Sequence, residues 1–250
     1  MEWYWILIII LVSLLVLLLL VVLLYKPMFK RVMDIICSSL VFLTLWPLWL
    51  VLTIMVKIKL GSPIYFKQVR PGKNGKLFTL YKFRSMTDEK DEKGNLLPDE
   101  VRLTKFGRWL RNTSLDEMPE AINIFLGQMS VVGPRPQLVK DYVFFDEETM
   151  KRQSIRPGLT GLAQVRGRNN ISWEEKFKYD LEYCNHISFF QDVKLVFQTI
   201  FKSFVSKENV NRDGFATDED YGDYLLRAGK VDINYYSEKI KESEKMIEIK

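Results

Sequence analysis

The residues best suited to chemistry are an adjacent acid pair and a set of arginines placed beside turns. Asp116 and Glu117 lie in Ser114-Leu115-Asp116-Glu117-Met118-Pro119-Glu120. Arg84, Arg111, Arg135, Arg156, Arg166 and Arg168 are scattered along the chain, with Lys82 two residues before Arg84. Several follow Pro/Gly segments such as Val131-Val132-Gly133-Pro134-Arg135-Pro136, which fix backbone direction and so aim the side chain. Guanidinium forks suit phosphate oxygens through paired, charge-assisted hydrogen bonds. Taken singly, each arginine has an ordinary reading as a surface ion pair, and an Asp-Glu pair at a helix start has one as a cap. Together they suggest phosphate chemistry. The helix dipole and the cations are expected to keep Asp116 ionised, and an ionised carboxylate can attack phosphorus. Neighbouring helical residues diverge by about 100°, so one acid can face the substrate while the other holds a magnesium ion on phosphate oxygens.

Composition narrows the alternatives. The chain has 250 residues, two cysteines (Cys37 and Cys184) and one histidine (His186). A disulfide framework and a Cys/His zinc site are excluded, and Ser-His-Asp catalysis would have to use His186, around which no partner pattern exists. The acidic stretch 88–100 does not have the ligand spacing of a calcium loop. A net charge of +5 fits anionic lipid or phosphorylated substrates. Nucleic acid is the alternative, and no helix-turn-helix, zinc-finger or RNP-type pattern supports it.

Charge is distributed unevenly: residues 1–58 carry six charged side chains and the remaining 192 carry 61. A simple soluble enzyme is excluded. Trp3 to Tyr25 is uncharged and long enough to cross a bilayer, with Trp3, Tyr4, Trp5 and Tyr25 at its ends. It lacks the basic leader and cleavage site of a signal peptide. Lys26, Lys30 and Arg31 place its C-terminal end in the cytoplasm. The second apolar run, Val32 to Val56, contains Pro47 and has basic residues at both flanks. A helix that bends at Pro47 and leaves by the face it entered satisfies both flanks, giving a re-entrant helix-break-helix over 29–56. A kinked full span is the alternative. The resulting division is an anchor helix (1–27), a re-entrant helix (28–58), a catalytic domain (59–206) and a charged C-terminal tail (207–250).

In the body, Ile64-Tyr65-Phe66 and Leu77 to Arg84 predict a β-hairpin, and Leu103 to Leu110 a short helix. A helix opens near the acid pair, capped either by Ser114 with Glu117 or by Asp116. Residues 138–154 are expected to be helical, 131–136, 156–161 and 167–170 to be turns, and Ser172 to cap a helix from Trp173 to about Cys184. Val193, Val196, Phe197, Ile200, Phe201 and Phe204 form one helical stripe that either packs in the core or lies in the membrane interface. Residues 208–250 read as a peripheral or partly disordered tail. The fold class is thus membrane-associated α+β, with an N-terminal transmembrane helix and a mostly helical catalytic domain carrying a small β-hairpin.

These motifs occur in an order that is itself specific: Lys30-Arg31-x-x-Asp34, Phe66-x-Gln68-x-Arg70-x-Gly72, Tyr81-Lys82-Phe83-Arg84-Ser85-Met86, Arg111-x-x-Ser114-Leu115-Asp116-Glu117-x-Pro119, Met129-Ser130-x-Val132-Gly133-Pro134-Arg135-Pro136, and Arg156-Pro157-Gly158-x-Thr160-Gly161 through Gly167-Arg168-Asn169. Over about residues 28–205 the chain resembles the bacterial sugar transferase family of monotopic polyprenol-phosphate phosphoglycosyl transferases. The resemblance implies an enzyme of the cytoplasmic (inner) membrane with its catalytic domain on the cytoplasmic face. It implies a UDP-sugar donor and a polyprenyl (undecaprenyl) phosphate acceptor, with UMP released. Asp116 matches the family's nucleophile, which holds a phosphosugar covalently, and Glu117 the residue that engages Mg2+. Lys82, Arg84, Arg111, Arg135, Arg168 and Asn169 match phosphate- or substrate-binding positions. At the kink the family commonly has Ser-Pro, whereas this chain has Trp46-Pro47. Residues 3–25 resemble a vestige of the multi-helix N-terminus of larger members. The loop 91–98 resembles small members that use N-acetylated deoxyamino sugars, and hexose phosphate transfer stays open. Homo-oligomers and downstream glycosyltransferases are further partners left open. The rival reading is a non-catalytic membrane module of a glycan assembly complex.

Overall fold

The computed structural model describes residues 2–167, 171–205 and 219–250. Helix α1 (Glu2–Leu23) is apolar on every side and exposed along its length, as a helix solvated by lipid would be. Its 22 residues rise about 33 Å, enough for the hydrocarbon core. A π-helical turn over Tyr25–Phe29 leads into α2 (Lys30–Leu60). Both helices are long and apolar enough to cross a membrane.

The predicted break at Pro47 is absent: α2 is one helix of 31 residues with Pro47 inside it. Proline removes one amide from the ladder, but its φ is helical, so the bonds on either side can continue. The packing of α2 is informative. Near its start, Arg31 donates to the carbonyls of Ile124 (2.6 Å) and Phe125 (2.8 Å). Asp34 accepts from Ser130 Oγ and Val131 N, both at 2.8 Å. Near its end, Leu52, Val56 and Leu60 form a core with Phe83 and Leu110. Trp49 donates to Tyr65 Oη at 2.9 Å. Both ends therefore dock on the same globular body, while Leu43, Trp46, Leu50, Ile54 and Ile58 are exposed.

The hairpin forms as predicted. Strands β1 (Tyr65–Pro71) and β2 (Leu77–Phe83) pair antiparallel, from Tyr65 opposite Phe83 to Pro71 opposite Leu77. Alternate residues of β2 face inward, where Phe78 and Leu80 meet Ile124 and Met129. Next come α3 (Asp99–Arg102), then α4 (Lys105–Asn112), whose first turn is capped by Thr104 Oγ1 accepting from Gly107 N. Helix α5 (Glu120–Phe125) follows the acid pair. The expected turns at 131–136 and 156–161 contain short parallel strands, β3 (Ser130–Val132) and β4 (Gly158–Thr160). Three residues are too few for alternation to reveal a strand. The helix expected over 138–154 is instead α6 (Val139–Tyr142), α7 (Glu147–Met150) and a 3-10 turn over Lys151–Ser154.

Helix α8 (Leu162–Arg166) precedes α9 (Trp173–Asn185), which begins at the predicted Ser172 cap, reinforced by Glu175 reaching back to Ser172 N. On α10 (Phe189–Val205) the buried side is Asp192 and Leu195, whereas Phe197, Ile200 and Phe201 are exposed. Val196 packs on the core beside Leu195, so core packing explains only part of the stripe; the side chain of Phe204 lies outside the described set. Residues 219–250 are not a disordered tail. They form α11 (Tyr221–Arg227) and α12 (Ile233–Glu248). Leu225, Tyr221, Tyr236, Ile240 and Met246 pack around Val143 and Phe144, just beyond α6.

Candidate active site

The acid pair sits on a turn, not on a capped helix. Ser114 has φ +54° and makes no capping hydrogen bond, so both predicted capping schemes fail. Leu115–Glu117 is a 3-10 turn, and Pro119 occupies the N-cap position of α5. Leu115 and Met118 pack on the core formed by α2, Phe83 and Leu110, which holds the turn from both sides. Asp116 and Glu117 emerge between these two anchors.

Lys82 arrives from β2, next to the buried Phe83. Its Nζ lies 2.7 Å from Glu117 Oε1 and 3.2 Å from Glu120 Oε1. Arg135, on the loop after β3, donates to the same Glu117 oxygen at 2.7 Å. Arg111 comes from α4 and donates through Nε to Ser85 Oγ at 2.9 Å. Its charge, with those of Lys82 and Arg135, acts on Asp116. Three carboxylates thus cluster with three cations.

The two adjacent acids have opposite surroundings. Burial opposes the charge on Glu117, but Arg135 and Lys82 outweigh it and hold its carboxyl well below the usual range. Burial and then the Glu117 charge push Asp116 up to about 6, against the pull of Lys82, Arg111 and Arg135. Of the dipole and the cations expected to keep Asp116 ionised, only the cations act as expected: a three-residue 3-10 turn supplies little dipole, and burial outweighs the pull of Lys82, Arg111 and Arg135. At pH 7 and above the group is still mainly ionised. Among the described residues nothing donates a hydrogen bond to Asp116, whereas Glu117 accepts two. An ionised carboxylate free of donors keeps its lone pairs available for bond formation.

Arg135 is itself positioned from below. Arg152 Nη2 donates to the Arg135 carbonyl (2.7 Å) and to Asp180 Oδ2 (2.7 Å), and the Arg152 and Asp180 side chains are almost fully buried. The strands on either side are closely apposed: a Cβ on Gly158 would lie 2.0 Å from Gly133 N. Gly158→Ala is accordingly expected to destabilise the protein by roughly 3 kcal/mol, because backbone cannot yield as a flexible side chain can. Thermal melting should fall by about 10 °C. An unchanged melting temperature would contradict the close approach.

Other predicted residues are placed differently. Arg84 is buried and committed to structure: it donates to the carbonyls of Ser62 and Met86 and pairs with Asp88. It is not available to substrate. Arg156 donates to the Gly127 carbonyl, and Arg166 lies over the Tyr179 ring. Arg168 and Asn169 lie outside the described residues. Glu120 was not anticipated. It is 2 % exposed, touches Lys82 and is pushed up to about 7, first by burial. The available signal was its spacing of three from Glu117, which puts both on one side of a helical turn.

Glu117, Arg111 and Arg135 line a cavity of about 780 Å³. One part of its wall is apolar, with Val41 and Leu45 of α2 facing Met118 and Ala121. Another is polar, with Arg70, Gln137 and Lys176. No group of three or more His, Cys, Asp or Glu side chains forms a metal cage among the described residues. Both hydrogen bonds to Glu117 end on Oε1, so Oε2 remains open to a cation. That fits magnesium, which typically takes one or two carboxylates and completes its shell with water and substrate phosphate.

Residues 25–206 match the model of the family described as bacterial sugar transferase. The chain is 47% identical over 190 residues to the uncharacterized sugar transferase EpsL of Bacillus subtilis (strain 168), covering 76% of this chain and 94% of that one. It is 41% identical over 189 residues to the UDP-glucose:undecaprenyl-phosphate glucose-1-phosphate transferase of Klebsiella pneumoniae, and 40% identical over 154 residues to the galactosyl transferase CpsE of Streptococcus agalactiae serotype III (strain NEM316). The matches cover 72% and 56% of this chain, but only 41% and 34% of those longer proteins. With the match spanning both the docked helix α2 and the acid-pair pocket, the chain belongs to the bacterial sugar transferase family.

Proposed function

We propose that the chain transfers a sugar 1-phosphate from a UDP-sugar to a polyprenyl phosphate in two displacements at Asp116. In the first, an Asp116 carboxylate oxygen bonds to the phosphorus attached to the sugar. The bond from that phosphorus to the bridging oxygen breaks, and UMP leaves with the electron pair. In the second, a phosphate oxygen of the acceptor bonds to the same phosphorus and Asp116 departs as the carboxylate. The products are UMP and a polyprenyl diphosphate sugar. The observation that carries this reading is the contrast within the acid pair: Glu117 is bound by two cations while Asp116 accepts no hydrogen bond from a described residue.

Lys82, Arg111 and Arg135 would take the charge that develops on the phosphoryl oxygens, in a site where they are already oriented. Glu117 would hold a magnesium ion through Oε2, and the ion when bound would offset charge on the diphosphate. The apolar wall formed by α2 suits a lipid acceptor, and the polar wall a nucleotide. Placement at the membrane is supported by the exposed α1 and by α2, whose two ends dock on one body and whose outer face is apolar. A helix held in this way does not carry the body to the other side, which supports a segment that enters and leaves by one face. The basic flanks Lys26, Lys30 and Arg31 support a cytoplasmic position for that face.

The first donors to examine are UDP-glucose and UDP-galactose, since the Klebsiella relative is named for glucose 1-phosphate transfer and CpsE for galactosyl transfer. A UDP-sugar panel with polyprenyl phosphate and magnesium, read for the nucleotide product, tests the reading. UMP supports it, UDP would indicate direct glycosyl transfer, and no nucleotide from any donor would favour a non-catalytic module. The Asp116 environment also sets a pH dependence. Only the ionised form attacks, so the rate should fall as pH drops through about 6, approaching tenfold per unit below it. A profile flat from pH 7 to 5 would contradict attack by this carboxylate.

A further inference from the structure

Arg70 is a cavity-lining arginine without an ion pair among the described residues. It is the penultimate residue of β1, before Pro71, and its guanidinium donates from Nη1 to the Pro136 carbonyl (3.2 Å) and from Nη2 to Gln68 Oε1 (2.7 Å). Its Nε is buried and has no partner. The buried arginines are neutralised: Arg84 pairs with Asp88, and Arg152 with Asp180. The acids around Arg70 are engaged elsewhere. Asp141 accepts from the backbone amides of Leu138 and Tyr221, Asp220 pairs with Lys140, and Glu120 contacts Lys82. Burial, and then the like charge of Arg135, pull the Arg70 guanidinium down to about 10. A desolvated cation in a substrate cavity, with one donor idle and no direct ion pair among the described residues, is costly unless an anion arrives.

We infer that Arg70 is a phosphate-binding residue of the cavity that Arg111, Glu117 and Arg135 also line. Two substrates carry phosphate, the nucleotide donor and the lipid acceptor. The donor is the first expectation, because Arg70 belongs to the polar wall. The inference rests on the transferase reading above. That reading fails if the wild-type protein releases no UMP, whereas the Arg70 assignment fails if the wild type is active and the variants behave like it.

The test uses full-length protein in lipid nanodiscs, with Arg70→Gln, Arg70→Lys, Arg135→Gln and the double variant Arg70→Gln/Arg135→Gln. KM for the UDP-sugar, inhibition by UMP and by uridine, and KM for polyprenyl phosphate are measured. Loss of one charge-assisted contact corresponds to roughly 10- to 100-fold in affinity. Arg70→Gln should therefore raise KM for the donor and weaken UMP inhibition by that range. Inhibition by uridine, which has no phosphate, and KM for the acceptor should stay within about twofold. Arg70→Lys should recover part of the loss. A rise confined to the acceptor KM would still support phosphate binding but assign it to the lipid. Two results overturn the inference: no change in any phosphate ligand, or a loss that disappears in the Arg135→Gln background, which would mean that Arg70 acts only by holding the Pro136 loop. Should Arg70→Gln fail to fold, Arg70→Lys decides, since it must lower the preference for UMP over uridine at least about threefold.

Discussion

Asp116→Asn should reduce UMP release by about 10⁴-fold or more, the scale seen when a covalent nucleophile is removed. The amide has nearly the shape of the carboxylate but no charge to donate to phosphorus. The loss should be chemical and not structural. Asp116 accepts no hydrogen bond from a described residue, so the substitution breaks no contact in the pocket. It also removes a buried charge beside Glu117, the neighbour that helps push the Asp116 carboxyl up to about 6. Thermal melting should therefore be unchanged or slightly raised while turnover collapses. A folded variant that retains activity would contradict the role given to this carboxylate; an unfolded one would contradict the description of its surroundings.

Glu117→Gln should behave differently although it is the adjacent residue. Glu117 Oε1 is the shared anchor for Lys82 and Arg135, at 2.7 Å from each. Removing its charge leaves two cations repelling each other near Arg111 and Arg70, with only Glu120 still touching Lys82. Breaking a buried pair from one side costs about 3–5 kcal/mol, less here because Arg135 and Glu117 are part-exposed. We expect kcat to fall by about 10²–10³-fold, in the range observed when a preorganised electrostatic contact is lost. Melting should also drop, and more magnesium should be needed for half-maximal rate. A variant with wild-type melting and a wild-type magnesium requirement would contradict the anchoring role. The two substitutions thus separate a reactive acid from an organising one.

Much of this site was legible because its parts lie on local signals. The Ser172 cap, the hairpin and the uncharged run of α1 each follow from residues within a few positions of one another. Asp116, Glu117, Lys82, Arg111 and Arg135 were read from motif order, and the fold brings them into one charged cluster, of which Glu117, Arg111 and Arg135 line the cavity. What escaped depends on distant partners. Arg84 and Arg135 look alike in sequence, yet one is spent on Ser62, Met86 and Asp88 and the other on Glu117. The Arg152–Asp180 pair that supports the Arg135 carbonyl spans 28 residues and has no local pattern. Strands β3 and β4 are three residues each and exist only because they meet. Pro47 was a sound reason to expect a break, yet α2 runs through it as one helix whose two ends dock on the same body. Residues 219–250 look like a solvated tail by charge, while their Tyr, Leu and Ile side chains find Val143 and Phe144.

The most direct test of the two-displacement account is the intact mass of the purified protein after incubation with magnesium and an accepted UDP-sugar, with no lipid acceptor. The account expects a gain of one sugar phosphate on the peptide containing Asp116, one equivalent of UMP released, and return to the starting mass on adding polyprenyl phosphate. A mass that never changes, with UMP appearing only when donor and acceptor are present together, would contradict it and indicate direct transfer in a single step.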